Sequence, residues 1–176
     1  MNHKIFTVLL TGLSGAGKTT IATNLSKYFE KIGIEHEILD GTELRPKLSP
    51  DLGYSQEERE THRKKIIFVA ELLTKHGIVC ITPLISSTGY IRDYIKSKLD
   101  NVIEIYLKCP LEIRAERDPQ GHYKKIKEGK MNNFVGVDIS YEEPENPDLV
   151  LETDKLSLDE CINKIIEKIK ELNYLD

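Results

Sequence analysis

The sequence predicts an α/β domain whose parallel sheet is covered by helices on both faces, and three observations carry that expectation. Short apolar runs alternate with longer amphipathic stretches, and strand–helix alternation builds parallel sheets because each crossover between parallel strands needs a helix-length connection. Glycines and Ser-x-x-Glu capping boxes fall between these segments. Finally, 176 residues, 39% of them hydrophobic, suffice to bury one core without disulfide staples. A single domain over residues 1–176 follows, with no internal repeat, low-complexity tract or linker.

Residues 5–11 are a continuous apolar run ending at Gly12, the pattern of a strand buried on both faces. The helix after it places Ile21, Leu25, Phe29 and Ile32 at spacings of four, four and three, and Gly33 ends it. A second strand over 35–39 runs into Asp40-Gly41. Residues 45–53 read as a loop, broken by Pro46 and Pro50. Ser55-Gln56-Glu57-Glu58 is a capping box that opens a helix reaching His76, before Gly77. Strands are expected at 78–84 and 102–107, with a helix around 90–99 between them. The stretch 117–133 is polar, basic and weakly periodic, which reads as a loop or lid with a short helix at most. A short strand at 149–151 and a second capping box, Ser157-Leu158-Asp159-Glu160, lead to a terminal helix with Ile162, Ile165, Ile166 and Ile169 turned inward.

The charge balance is 25 Lys+Arg against 29 Asp+Glu, a net of -4. That argues against a nucleic-acid or membrane-surface binder, either of which normally shows a basic excess. Cys80, Cys109 and Cys161 are odd in number, widely spaced and free of any Cys-x-x-Cys pairing, so buried free thiols are expected. The opening Met1-Asn2-His3-Lys4 leads into an apolar run too short to span a bilayer and lacking a small-residue cleavage site, which makes the cytoplasm the expected compartment.

Chemistry enters at Gly12-Leu13-Ser14-Gly15-Ala16-Gly17-Lys18-Thr19, which fits the P-loop pattern G-x-x-x-x-G-K-[ST] without a gap, between a predicted strand and a predicted helix. Its glycines let the backbone curl so that N–H groups meet phosphate oxygens, and the following helix adds the positive end of its dipole. Lys18 is expected to neutralise the β- and γ-phosphates, and the Thr19 hydroxyl to coordinate Mg²⁺. The fold class thereby narrows to a P-loop NTPase-type three-layer sandwich with a basic lid. A GTPase would need an Asn-Lys-x-Asp base reader, but Asn163-Lys164 is followed by two isoleucines. The one Asp-x-x-Gly, from Asp118 to Gly121, lies in the basic stretch instead of ending a strand. An acid after the second strand, Asp40, and a basic lid late in the chain suit a small-molecule kinase. Asp40 falls where open α/β sheets bind ligands; there it could accept a hydroxyl proton or hold Mg²⁺ through water, or simply cap the following turn.

Further along, the chain carries Thr20, Leu39-Asp40-Gly41, Arg45, Asp51-Leu52-Gly53-Tyr54-Ser55, Arg59, Ile85-Ser86, Arg117-Asp118-Pro119, Gly121, Tyr123-Lys124-Lys125, Phe134-Val135-Gly136-Val137-Asp138 and Tyr141-Glu142-Glu143-Pro144. With the loop, this ordered set resembles the adenylylsulfate kinase family over nearly the whole length. The resemblance implies transfer of the γ-phosphoryl of ATP, with Mg²⁺, to the ribose 3′-hydroxyl of a small-molecule nucleotide, and a homodimer. It implies ATP contacts from Gly12, Leu13, Ser14, Gly15, Ala16, Gly17, Lys18, Thr19, Thr20 and Arg117. It places Asp40 and Lys18 at the reacting centre, with Ser86 at a serine sometimes assigned a phosphorylated intermediate. Arg45 and Arg59 would hold the acceptor's 5′-phosphate, and Tyr54 and Phe134 would sandwich its base. Ile85 and Ser86 would line the acceptor site, while Lys124 and Arg117 would ride on a lid closing over the triphosphate.

The departures from the family pattern gather on the acceptor side. Asp-Gly-Asp-Asn becomes Asp40-Gly41-Thr42-Glu43, an Asn becomes His62, Ile-Ser-Pro becomes Ile85-Ser86-Ser87, and Asp-Pro-Lys-Gly-Leu becomes Asp118-Pro119-Gln120-Gly121-His122. Helical spacing places Arg59, His62, Ile66, Val69 and Leu73 on one stripe, so His62 is expected to contact the acceptor. Altered polar readers mean altered discrimination. A different nucleotide is therefore expected, and the resemblance suggests cytidine 5′-diphosphoramidate, the acceptor of a branch of this family in capsule phosphoramidate synthesis, with adenosine 5′-phosphosulfate as the alternative. A catalytically inactive nucleotide-binding regulator and a conventional nucleoside or nucleoside-monophosphate kinase are the remaining alternatives.

Overall fold

The chain runs β1 (Thr7–Thr11), α1 (Lys18–Lys31), β2 (His36–Ile38), α2 (Gly41–Leu48), α3 (Gln56–Lys75), β3 (Val79–Leu84), α4 (Gly89–Lys98), β4 (Val102–Lys108), α5 (Leu111–Arg117), α6 (His122–Lys127), β5 (Leu149–Glu152) and α7 (Leu158–Glu171). This is a computed structural model that describes residues 3–176, so Met1 and Asn2 of the opening segment lie outside the described residues.

The five strands are all parallel, in the order β2-β3-β1-β4-β5. β1 is central, with Thr7 opposite Cys80 of β3 on one side and Val102 of β4 on the other. The chain moves to one side of β1 first and to the other side later, which creates the switch point at whose carboxyl edge such sheets bind ligands. Every residue of β1 and of β3 is buried, because helices cover both faces. Val8 and Leu10 point to one face, into a core with Ile21, Leu25 and Phe29 of α1 and Ile165 and Ile169 of α7. Leu9 points to the other, with Ile66 and Ile67 of α3 and Ile95 of α4. Burying each such side chain contributes about 1.5–3 kcal/mol. Both capping boxes form, at Ser55/Glu58 and Ser157/Glu160.

Three expectations are corrected. The stretch 45–53 is helical through Leu48, because α2 spans Gly41–Leu48. Asp40 accepts the amides of Thr42 and Glu43 at 2.8 and 3.3 Å and so nucleates this helix. Leu44 and Leu48, one turn apart, then pack on the α3-side core. Pro46 sits inside the helix and removes the one bond its nitrogen would have given to Thr42 O, while the Ser49 amide still closes the helix onto Arg45 O at 2.9 Å. A second unexpected helix, α5, precedes the lid; its buried residue is Arg114, so no apolar stripe announced it. Finally, Cys80 and Cys161 are buried free thiols, whereas Cys109 is only half-buried. Among the described residues no helix is long and apolar enough to cross a membrane.

Candidate active site

β1 delivers the loop of residues 12–17 to the carboxyl edge of the sheet, and the fold ties that loop down through its carbonyls. Leu13 O accepts the Lys18 ammonium at 2.8 Å and the Ala16 amide at 3.2 Å. Ser14 O accepts the Tyr123 hydroxyl at 2.9 Å, Gly15 O a longer bond from Arg117 at 3.4 Å, and Ala16 O the Thr153 hydroxyl at 2.9 Å. With its carbonyls committed, the loop keeps its amides other than that of Ala16 for an anion at the head of α1. Two positions admit only glycine. Gly12 has φ +147° and a Cβ there would lie 2.7 Å from Leu107 O, while Gly15 has φ +80° and a Cβ would lie 2.8 Å from Arg114 O.

Lys18 is half-buried in this cradle. Burial lowers its ammonium pKa to about 8, with Asp40 acting in the opposite sense and Arg114 in the same sense. An arriving polyphosphate would restore the ordinary value, so binding and protonation of this lysine reinforce each other.

Asp40, 6% exposed, joins the donor and acceptor sides. Its Oδ2 accepts the Thr19 hydroxyl at 2.7 Å, and its Oδ1 accepts the two amides that start α2. Capping and site placement are therefore one arrangement, and Oδ2 retains an acceptor position for a further proton.

On the acceptor side, Arg45 and Arg59 lie over the Tyr54 ring, 4.3 and 5.2 Å from its centroid. Arg45 also donates to Gly53 O. Arg59 donates from Nε to Tyr54 O at 2.8 Å and from Nη2 to Asn133 O at 2.9 Å, tying the Tyr54 turn to the segment that carries Phe134. The two rings differ in setting. Tyr54 is 56% exposed, whereas Phe134 is buried edge-on against Tyr123 and His122 at 5.1 and 5.6 Å. Ile85 is half-buried, and Ser86 is fully buried with its Oγ unpartnered among the described residues.

His62 does not have a nitrogen free for the acceptor. Its Nε2 donates to Gly41 O at 2.7 Å, which leaves Nδ1 to accept the Ser49 hydroxyl at 2.9 Å. Burial lowers its pKa, with Arg45, Arg63 and Lys65 acting in the same sense against the Gly41 bond, so the ring is neutral at pH 7. His62 thus staples α3 to the Asp40–Gly41 turn.

The lid also differs from expectation. Arg117 is the last residue of α5 and not part of a free loop; Nη2 donates to Thr153 O at 2.7 Å, beside the donor loop. The lid proper is a turn and α6. Asp118 accepts the Tyr123 and Lys124 amides at 3.1 and 3.0 Å, and the Lys124 side chain is exposed. Thr20, likewise expected at the donor site, is exposed on the first turn of α1. Arg114 was missed: it is buried, donates to Cys109 O at 2.9 Å and to the Tyr123 hydroxyl at 2.6 Å, and braces the lid against the donor loop. Its signal lay in polar residues sitting where a helix faces inward.

A phosphate-gripping loop at the switch point of a parallel sheet, with a carboxylate bridging to the opposite wall, is the arrangement of a P-loop kinase. The family model for adenylylsulphate kinase matches residues 4–152, and the chain belongs to that family. A probable adenylyl-sulfate kinase of Pyrococcus abyssi is 44% identical over 170 residues, covering 97% of this chain and 98% of that one. The adenylyl-sulfate kinase of Rippkaea orientalis is 41% identical over 175 residues, covering 99% and 97%. The structure of the Mycobacterium tuberculosis APS kinase CysC in complex with AMPPNP and APS superposes with a TM-score of 0.90 at 32% identity, covering 96% of this chain and 99% of that chain. The chain is accordingly an ATP-dependent phosphotransferase that acts on a hydroxyl group.

Proposed function

We propose that the chain transfers the γ-phosphoryl of ATP to the ribose 3′-hydroxyl of adenosine 5′-phosphosulfate, forming ADP and the 3′-phosphorylated product. The relatives' names support this acceptor over cytidine 5′-diphosphoramidate. So does the geometry, because neither His62 nor Gln120, two of the departures that pointed to cytidine, presents a free polar group inside the cleft. His62 is spent on Gly41 and Ser49, and Gln120 lies exposed in the turn before α6.

The observation that carries the reading is the 2.7 Å contact between Asp40 and Thr19. It puts a carboxylate with a spare acceptor position at the mouth of the donor loop. In the proposed reaction the 3′-oxygen attacks the γ-phosphorus, the bond from that phosphorus to the β–γ bridging oxygen breaks, and the hydroxyl proton passes to Asp40 Oδ2. Lys18 and the loop amides hold the charge that builds on the transferring group. Arg45, Arg59, Tyr54 and Phe134 orient the acceptor, and Arg117, Lys124, Ile85 and Ser86 complete the walls. The Thr19 hydroxyl and the Asp40 carboxylate are hard oxygen donors of the kind Mg²⁺ takes together with phosphate oxygens and water. When bound, that cation would neutralise the β- and γ-oxygens. A cytoplasmic homodimer acting on small molecules, with no nucleic acid or membrane partner, belongs to the same reading.

ADP release from MgATP, measured with adenylylsulfate, cytidine diphosphoramidate, CDP and free nucleosides in turn, tests it. Adenylylsulfate is expected to give the highest kcat/KM. A preference for cytidine diphosphoramidate would overturn the acceptor, and ATP binding without ADP release for any acceptor would favour the inactive regulator.

A further inference from the structure

Among the described residues three arginines are buried, and two of them are satisfied. Arg92 donates from Nη1 to Ser86 O and to Glu142 O, each at 2.7 Å, and its Nε faces the Glu104 carboxylate at 3.5 Å. Arg114 is held by Cys109 O and the Tyr123 hydroxyl. Arg63 of α3 is the exception. It is 5% exposed, its Nη1 is buried without a partner, and it forms no ion pair among the described residues. A buried cation without an acceptor is strongly disfavoured, so this arrangement points to a ligand that supplies one.

Its surroundings identify the ligand's chemistry. Arg63 lies one helical turn after Arg59 and one turn before Ile66, whose side chain reaches the Gly41 and Leu84 region at the carboxyl edge of the sheet. The charged and titratable groups acting on it are Arg59, Arg45, Glu60 and Tyr141. Burial, with Arg59 and Arg45, lowers the Arg63 pKa to about 10, still far above neutrality. Tyr141 meets Thr11, the last residue of β1, at 3.0 Å between hydroxyl oxygens. Arg63 therefore stands in the acceptor half of the cleft, between α3 and the Tyr141 segment. Three guanidinium groups outnumber the two carboxylates that act on them, Glu60 on Arg63 and Glu58 on Arg45, and make an anion site.

We propose that Arg63 is an acceptor-binding residue whose guanidinium, together with Arg45 and Arg59, holds the anionic 5′ tail of the acceptor nucleotide. This rests on the function proposed above and adds to it a third tail-binding cation, one that the acceptor itself completes. Sequence spacing placed the α3 stripe on Arg59, His62, Ile66, Val69 and Leu73, whereas the buried residues are His62, Arg63, Ile66, Ile67 and Ala70, a rotation that brings Arg63 in.

The test is calorimetric titration of adenylylsulfate, adenosine and inorganic pyrophosphate into protein saturated with AMPPNP, for the parent, Arg63→Met and Arg63→Lys. Arg63→Met is expected to weaken adenylylsulfate roughly 10- to 100-fold and to weaken pyrophosphate as well. Adenosine binding should be unchanged, and Arg63→Lys should recover part of the loss. The melting temperature of Arg63→Met should not fall, because the substitution removes an uncompensated buried charge. Equal adenylylsulfate binding by parent and Arg63→Met would overturn the proposal, as would an equal loss for adenosine. Failure of the parent to prefer adenylylsulfate over adenosine would overturn the acceptor reading instead, and the pyrophosphate comparison would still decide Arg63.

Discussion

The donor and acceptor halves of this cleft are built on opposite plans. Around the donor loop, four successive carbonyls are tied to Lys18, Tyr123, Arg117 and Thr153, and two glycines sit where no side chain fits. That half is held in shape by the protein's own bonds, and fixed donors of this kind stabilise charge with little reorganisation during reaction. Around the acceptor, Tyr54 is exposed under two arginines and Arg63 waits buried without an acceptor. That half is completed by what it binds. The comparison teaches that a common polyphosphate can be met by fixed backbone, whereas selecting one nucleotide among many is left to side chains whose charges the correct ligand must satisfy.

Breaking the donor half should have the largest effect. Lys18→Met and Asp40→Asn should each lower kcat by on the order of 10²-fold or more, read from ADP release at saturating substrates; full activity in Asp40→Asn would remove its assigned role. Gly15→Ala should cost roughly 1–3 kcal/mol in urea unfolding, from left-handed backbone strain and the clash with Arg114, with a parallel loss of ATP binding. On the acceptor side, Tyr54→Ala should raise the acceptor KM about 10-fold, as one lost stacking surface implies, while leaving the ATP KM and the melting temperature near the parent values. The smallest effect concerns pH. His62 is neutral when folded and has a lowered pKa, so the unfolded chain takes up its proton first as pH falls below 6.5. Stability should therefore decline from about pH 6.5 downward, with no contribution from this group above it, and His62→Asn should flatten that limb of the thermal-melting profile.

The donor half was largely legible in the sequence because its determinants are contiguous: an apolar strand, an eight-residue loop and an amphipathic helix. The parallel sheet and both capping boxes followed from equally local patterns. The acceptor half was legible only in part, since its geometry depends on contacts between distant segments. Pro46 hid α2, whose real determinants are the Asp40 cap and the packing of Leu44 and Leu48. Arg114 and Arg63 were passed over because charged residues on an inward helix face break the apolar periodicity by which buried stripes are recognised. His62 was rightly placed inward, but only its two hydrogen bonds reveal that its neighbours are protein groups.

Asp40 caps α2, and Arg45 follows five residues later within that short helix. At a rise of 1.5 Å per residue the helix holds the two about 7.5 Å apart along its axis. If the carboxylate faces the hydroxyl being modified and the guanidinium faces the 5′ end, α2 acts as a ruler laid along the sugar.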